Sequence, residues 1–328
     1  MPDQLVYAME VFLNGLMAGV LYALVALGFV LIYKASGIFN YAQGVMALFA
    51  AMTLVGIMDG QIPFSHLINA ILGSDLHHFG WHLPAFLGIL LTMAVMVLLA
   101  WLVQRIIFKH LVGQEPIILF MATIGLAYFM EGMGDMMWGA DIKKLDVGLP
   151  QGINIWIDET TFNIFDYGFF IDNLDIVATV IAIILVGVLV AFSQYTKEGR
   201  AMRAVADDHQ AALSVGVSLN FIWIMVWSLA GFVALVAGVM WGAKSGVQFS
   251  LSLIALKALP VLMLGGFTSI PGAIIGGLII GVGEKLFEFT VGPLIGGATE
   301  NWFAYVLALL FLVFRPQGLF GEKIIERV

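Results

Sequence analysis

The chain has 328 residues, of which 61% are hydrophobic and 11% charged, and its mean hydropathy is +1.02. A soluble domain is about half apolar and about a quarter charged, so these figures exclude one and describe an integral membrane protein. The net charge of -8 gives no reason to expect nucleic acid, and the lack of cysteine excludes disulfides and thiolate chemistry.

Backbone polar groups in lipid must be satisfied within the chain, and the long apolar runs do not alternate as barrel strands do. The expected fold is therefore all-α, a single polytopic transmembrane bundle over 1–328. It should hold roughly eight to nine membrane segments at ~20 residues each, some broken or re-entrant. In chain order the apolar segments are 8–33, 38–58, 82–108, 116–138, 174–195, 219–243, 253–264, 272–290 and 300–314. The core of the first, Val11–Tyr33, is too long for a signal-peptide core and follows acids rather than bases, so it reads as a retained span. Segment 253–264 is too short to cross alone and stops at Gly265-Gly266. It either pairs with 272–290 around a glycine-rich turn or re-enters.

Basic residues orient the bundle. Lys34, Arg105 with Lys109, Lys197 with Arg200 and Arg203, and the tail residues Arg315, Lys323 and Arg327 fall in gaps expected in the cytoplasm. Gap 59–81 has no Lys or Arg. The insert 139–173 has more acids than its two lysines, Lys143 and Lys144. Both are expected outside, as are loop 291–300 and the N-terminus. With Gly148, Pro150, Gly152 and Trp156, the insert reads either as a structured cap, with a short hairpin around Ile153–Ile157, or as a plain connector.

Five stretches carry possible mechanism. In Gly37–Gly44, Asn40, Tyr41 and Gln43 stand at the mouth of an apolar helix between glycines that permit a bend. This reads as a pathway or gate element, or as a tight turn with a polar cap. Residues 196–217 form a polar loop with Lys197, Arg200, Arg203, Asp207 and Asp208. Gln210, Ala211, Ala212 and Gly216 then place small side chains on a short helix, 207–216, that Gly216 can end. This is either a docking surface or an ordinary basic loop near anionic lipid. Lys257 lies inside an apolar run, at a cost of about 2.5–3.5 kcal/mol on insertion scales. It attracts a carboxylate substrate, pairs with Glu284 or Glu131, or snorkels to an interface; Pro260 interrupts helical bonding three residues on. The glycines from Gly272 to Gly283 read as close helix packing. They follow Pro271 at a helix start. The stretch Gly265–Gly283 also faintly echoes Gly37–Gly56, as an inverted repeat would. His78 and His82 have a metal-binding spacing, but the loop offers no acid or cysteine beside them, and no metal is expected.

The spacing Gln210-Ala211-Ala212-x-x-x-Gly216 resembles the EAA loop of ABC importer permeases, with Gln210 where Glu is usual. Gly199–Asp208, Asn14–Leu24 with Gly37–Gly44, Leu264–Ala273 and the tail Arg315–Gly321 resemble the branched-chain amino-acid permeases of the LivH type, over nearly the full length and in order. The resemblance implies an inner-membrane, multi-pass importer subunit. Its implied partners are two ABC ATPase subunits, a second LivM-like permease and an extracytoplasmic substrate-binding protein. The cytoplasmic coupling loop would be 196–217. ATP and Mg would be bound by the partners and no cofactor by this chain, which has no Gly-x-x-x-x-Gly-Lys-Ser/Thr phosphate loop. From their polar character beside apolar helices, and not from the resemblance, Asn40, Gln43 and Lys257 are expected to line the substrate pathway. Branched-chain or other hydrophobic amino acids are the expected substrates, with urea, amides or carboxylates as alternatives. A titrating role at Gln43 is lost, since the family usually has His there. The rival readings are an ATP-independent secondary transporter, which needs an ionisable relay in the spans, and a membrane enzyme, which needs a catalytic cluster at one depth.

Overall fold

In the computed structural model, which describes residues 2–72, 79–111, 113–155 and 170–321, the apolar runs are helices. They are α1 (Pro2–Ser36), α2 (Gln43–Met58), α3 (Ser65–Leu72), α4 (Ala85–Val103), α5 (Lys109–Leu111), α6 (Pro116–Trp138), α7 (Asn173–Tyr195), α8 (Lys197–Asp207), α9 (His209–Ser214), α10 (Leu219–Ser245), α11 (Ile254–Gly265), α12 (Ile270–Thr290), α13 (Gly292–Ile295) and α14 (Phe303–Phe314). A π-helical turn, Gln104–Phe108, joins α4 to α5. Among the described residues, six helices are long and apolar enough to cross a membrane, and three shorter apolar helices accompany them. The chain is thus a multi-pass membrane protein. At 1.5 Å per residue, α1 is about 52 Å long, well beyond a ~30 Å hydrocarbon core.

The insert departs from a local hairpin. Strand β1 (Ile153–Ile155) pairs antiparallel with β2 (Phe170–Asp172), with Ile153 opposite Asp172. The turn expected near residue 157, like Trp156 and His78, lies outside the described residues. β2 is held from its far end. The Asp172 carboxylate accepts from the Leu174 N–H at the start of α7, and Ile171 packs with Val6 and Met17 of α1.

By its contacts the chain divides into two units, one drawn from Met1–Val30, Leu149–Leu189 and Leu256–Val328, the other from Leu31–Gly148 and Val190–Ala255. In the first, glycines set the helix spacing. A Cβ on Gly277 would stand 2.6 Å from the Gly19 carbonyl oxygen, and one on Gly15 would stand 2.8 Å from the Val282 Cα. Gly15-x-x-x-Gly19 on α1 and Gly277-x-x-x-Gly281 on α12 therefore meet backbone to backbone. Gly272 and Gly276 bring α12 equally close to α11. The glycine run packs within the subunit. Ser269 caps α12 through the Gly272 N–H, with Pro271 in the first turn. The carbonyls left open at the end of α11 are taken by the tail: Leu319 N–H donates to Leu264 and Phe320 N–H to Gly265.

In the second unit α2 is buried almost all round and packs against α4, α6 and α10. Its small residues permit this. A Cβ on Gly44 would strike the Ser252 carbonyl, and one on Gly56 the Trp138 ring. One lysine ties the ends of these helices together. Lys143 Nζ donates to Gln61 Oε1 and to the Trp138 carbonyl, both at 2.6 Å, and its backbone bridges to Val247. Burial holds this ammonium below the ordinary lysine value, with Asp59 and Asp141 pulling the other way. The folded chain therefore loses the proton before the unfolded chain does. Lys143's share of stability should rise with pH through the window below 10.5. Thermal unfolding in detergent should show a steeper rise for the wild type than for Lys143→Met.

Candidate functional site

The polar loop is two helices rather than one. Thr196 caps α8, accepting from the Gly199 N–H at 2.9 Å. Gly199, Met202 and Val205 recur every third residue and are buried together, which lays α8 on its own protein, against α10 among others. A Cβ on Gly199 would strike the Phe192 carbonyl, so only glycine allows that approach. Arg200 is exposed and Arg203 half-buried.

The expected helix 207–216 is corrected at its start. Asp207 ends α8. Asp208 is extended, at φ -156° and ψ 112°, and its carboxylate accepts from the N–H groups of Gln210 (2.7 Å) and Ala211 (3.0 Å). An aspartate at this position satisfies N–H groups that a helix start leaves open, and so begins α9. The other end is as expected from Gly216. That residue has φ +87°, its N–H donates to the Leu213 carbonyl, and the Val217 N–H reaches back to Ala212. This pair of bonds is the Schellman ending, which needs a left-handed residue.

The α9 surface also differs from the small-residue face that was expected. Gln210, Ala211 and Gly216 are exposed, but Ala212 is buried. The segment instead presents Leu213, 52% exposed, and Val215, 78% exposed. These are two open apolar side chains on an otherwise polar segment. Their signal was the pattern itself, apolar residues at 213 and 215 beside a glycine stop.

The turn before α2 is a closed polar knot. Gly37 has φ +67° and ends α1. The Asn40 Oδ1 accepts from the Ala42 N–H at 3.1 Å, and its Nδ2 donates to Gln43 Oε1 at 3.3 Å. Gln43 Nε2 donates to the Ala230 carbonyl of α10 at 3.3 Å. The Thr123 hydroxyl of α6 accepts from the Tyr41 N–H. Asn40 and Gln43 are both buried and spent on these bonds.

Lys257 lies elsewhere, in the first unit. Its Nζ is 2.5 Å from Glu284 Oε1 on α12, so the acid it meets is Glu284 and not Glu131. The Tyr22 hydroxyl of α1 is 3.4 Å away. One turn from these groups, Gly19 and Gly281 bring α1 and α12 into the contact that lets Tyr22 reach them. Pro260 sits inside α11 and has no N–H to give the carbonyl four residues earlier. That carbonyl, of Leu256, takes the Tyr305 hydroxyl of α14 at 2.9 Å. Neighbouring side chains are the usual remedy for proline in a membrane helix. Tyr305→Phe should therefore cost about 0.5–1.5 kcal/mol, the net worth of a hydrogen bond at an exposed carbonyl. In a Pro260→Ala background the restored N–H should remove most of that cost. Thermal unfolding of the two single variants and the double variant checks this.

Among the described residues no group of three or more His, Asp or Glu is placed to hold a metal.

Comparison with known proteins covers the whole length. Residues 11–315 match the family described as the permease component of the branched-chain amino acid transport system. The chain is 26% identical over 335 residues to the high-affinity branched-chain amino acid transport system permease protein LivH of Salmonella typhimurium, covering all of both. It is 27% identical over 337 residues to BraD of Pseudomonas aeruginosa, again covering all of both. A probable LivH of Methanocaldococcus jannaschii is 25% identical over 312 residues, 92% of this chain and 89% of that one.

Proposed function

We propose that this chain, which belongs to the family of branched-chain amino acid transport system permeases, is the membrane subunit of a bacterial ATP-driven importer in the inner membrane. Branched-chain or other hydrophobic amino acids are its substrates. It makes and breaks no bonds itself. Two ATPase subunits hold ATP and Mg, a second LivM-like permease completes the pathway, and an extracytoplasmic binding protein delivers the ligand.

The observation that carries this reading is α9, a helix fixed at both ends that turns Leu213 and Val215 outward. Its Asp208 cap and Gly216 stop make it a rigid piece for a motor to move. Gln210, Ala211, Leu213 and Val215 meet a groove on the ATPase, Arg200 and Arg203 pair with its acids, and the buried Ala212 anchors α9 to its own chain. Asp207 ends α8 and sets the angle between the two helices. Movement passes into α10, which is separated from α9 by four residues and packs on α8. The Gln43–Ala230 bond then breaks and remakes, so Asn40 and Gln43 act as a gate in the pathway and Lys257 as a contact along it. Alternating access follows from that movement.

Reconstitution tests the reading. Vesicles holding both permeases and both ATPases should take up leucine only with ATP inside the ATPase compartment and the binding protein on the opposite face. Uptake by this chain alone, without nucleotide, would establish the secondary-transporter rival.

A further inference from the structure

Lys257 carries a charge that the fold balances but does not enclose. Glu284, its partner, is 1% exposed, whereas 31% of the Lys257 side chain is open. Tyr22 holds the other side of the pair and is itself buried. A lysine present only to balance Glu284 would be covered along with it. An ammonium open to acyl chains is strongly disfavoured, and intramembrane cations normally face a protein interior or a water-filled space. Beside it, Pro260 has freed the Leu256 carbonyl, which draws the Tyr305 hydroxyl onto the same helix. The Leu256 side chain, at the adjoining position, is exposed. One short stretch of α11 thus offers a cation and apolar surface, with the Tyr305 phenol of α14 against it.

The geometry points to Lys257 as the contact for the carboxylate of a small aliphatic amino acid, on a water-reached face of α11, with Glu284 and Tyr22 as positioning residues. This rests on the transporter reading above. The site is neutral overall, because Glu284 cancels the ammonium. A zwitterion meets no net charge there, and a carboxylate, which shares the ammonium with Glu284, is held weakly enough to leave, as passage requires. The glycine contact between α1 and α12 fixes where Tyr22 and Glu284 stand, and so where the ammonium points.

The absence of cysteine makes the test direct. In the assembled transporter, Lys257→Cys and Leu256→Cys each introduce a single thiol into this chain. A charged, membrane-impermeant thiosulfonate reacts with thiolate, and thus where water reaches. Both positions should label, and turnover of the leucine-loaded binding protein should slow the labelling at Leu256→Cys, which keeps the Lys257 contact, but not at Lys257→Cys, which removes it. Ile184→Cys, exposed in the middle of α7, should stay unlabelled. At Lys257→Cys the bare Glu284 carboxylate should favour a cationic over an anionic reagent by roughly tenfold or more, the size of a screened charge interaction at a few ångströms. Adding Glu284→Gln should erase that preference. Leu256→Cys keeps the ion pair, so it reports even if Lys257→Cys does not fold. The proposal is overturned if neither thiol labels, or if labelling at Leu256→Cys ignores leucine, while ATP-driven leucine uptake persists. Loss of that uptake in the unaltered protein strikes the transporter reading instead.

Discussion

Leucine uptake by the assembled transporter is expected to fall roughly tenfold or more when Gly216 is replaced by valine, while the chain still inserts and keeps its unfolding temperature. A left-handed backbone costs an L-residue about 1–2 kcal/mol, and each 1.4 kcal/mol is about a factor of ten in an equilibrium. A β-branched side chain makes the position harder still. Gly216, at φ +87°, would have to give up the two bonds that close α9, from its own N–H to Leu213 and from Val217 to Ala212. The damage stays local, because nothing lies within 4 Å of a Cβ added there. Uptake is therefore lost through the shape of one exposed helix and not through the fold. Asp208→Ala, which removes the cap at the other end, should act in the same direction with a smaller effect, about 1 kcal/mol of helix stability. Uptake rates beside thermal unfolding curves separate the two causes. Full uptake by Gly216→Val would remove α9 from the mechanism.

The opposite pattern is expected at Gly281. Gly281→Leu should leave little folded protein in the membrane, and any recovered chain should unfold far below the wild type. An added Cβ there would stand 2.5 Å from the Gly15 carbonyl oxygen and as close to the Gly19 Cα. Overpacking usually costs about 1–3 kcal/mol when side chains can shift. Here the obstacle is the backbone of α1, which cannot shift without separating the two helices, so the cost should lie at or above the top of that range. The separation would also part Tyr22 from Glu284 and Lys257. Gly132 and Gly187 provide the contrast. They lie within helices α6 and α7 with open space where a Cβ would go. Ala at either should be neutral or add the roughly 0.5–1 kcal/mol that glycine costs inside a helix. Quantifying folded protein in membranes for the three variants tests this order.

How far the sequence was readable depended on whether the cause was local. The spans were legible because run length and polarity decide them, and α6 and α7 fall where the apolar runs do. The end of α9 was legible because Gly216 is the residue a Schellman stop needs. The break at Asp208 was not, since no glycine or proline marks it and the carboxylate acts on N–H groups two and three residues ahead. Nor was the inward turn of Ala212, which hid the outward Leu213 and Val215. The glycines on α12 announced close packing, but their partners, Gly15 and Gly19, lie more than 250 residues earlier. Lys257 announced that it needed a partner; that this is Glu284 depended on α12 folding back over α11. The proline at 260 explained its own remedy only once Tyr305 was seen on the freed carbonyl.

The most direct measurement is cross-linking from α9. Ala211→Cys gives this chain a single exposed thiol at the proposed contact. In membranes holding the complete transporter, a short bifunctional reagent should join it to an ATPase subunit, with a yield that changes on ATP binding. A complex that still imports leucine but gives no such product, or a thiol modified only by reagent added from outside the cell, would contradict the proposal that ATP hydrolysis is coupled to transport through this helix.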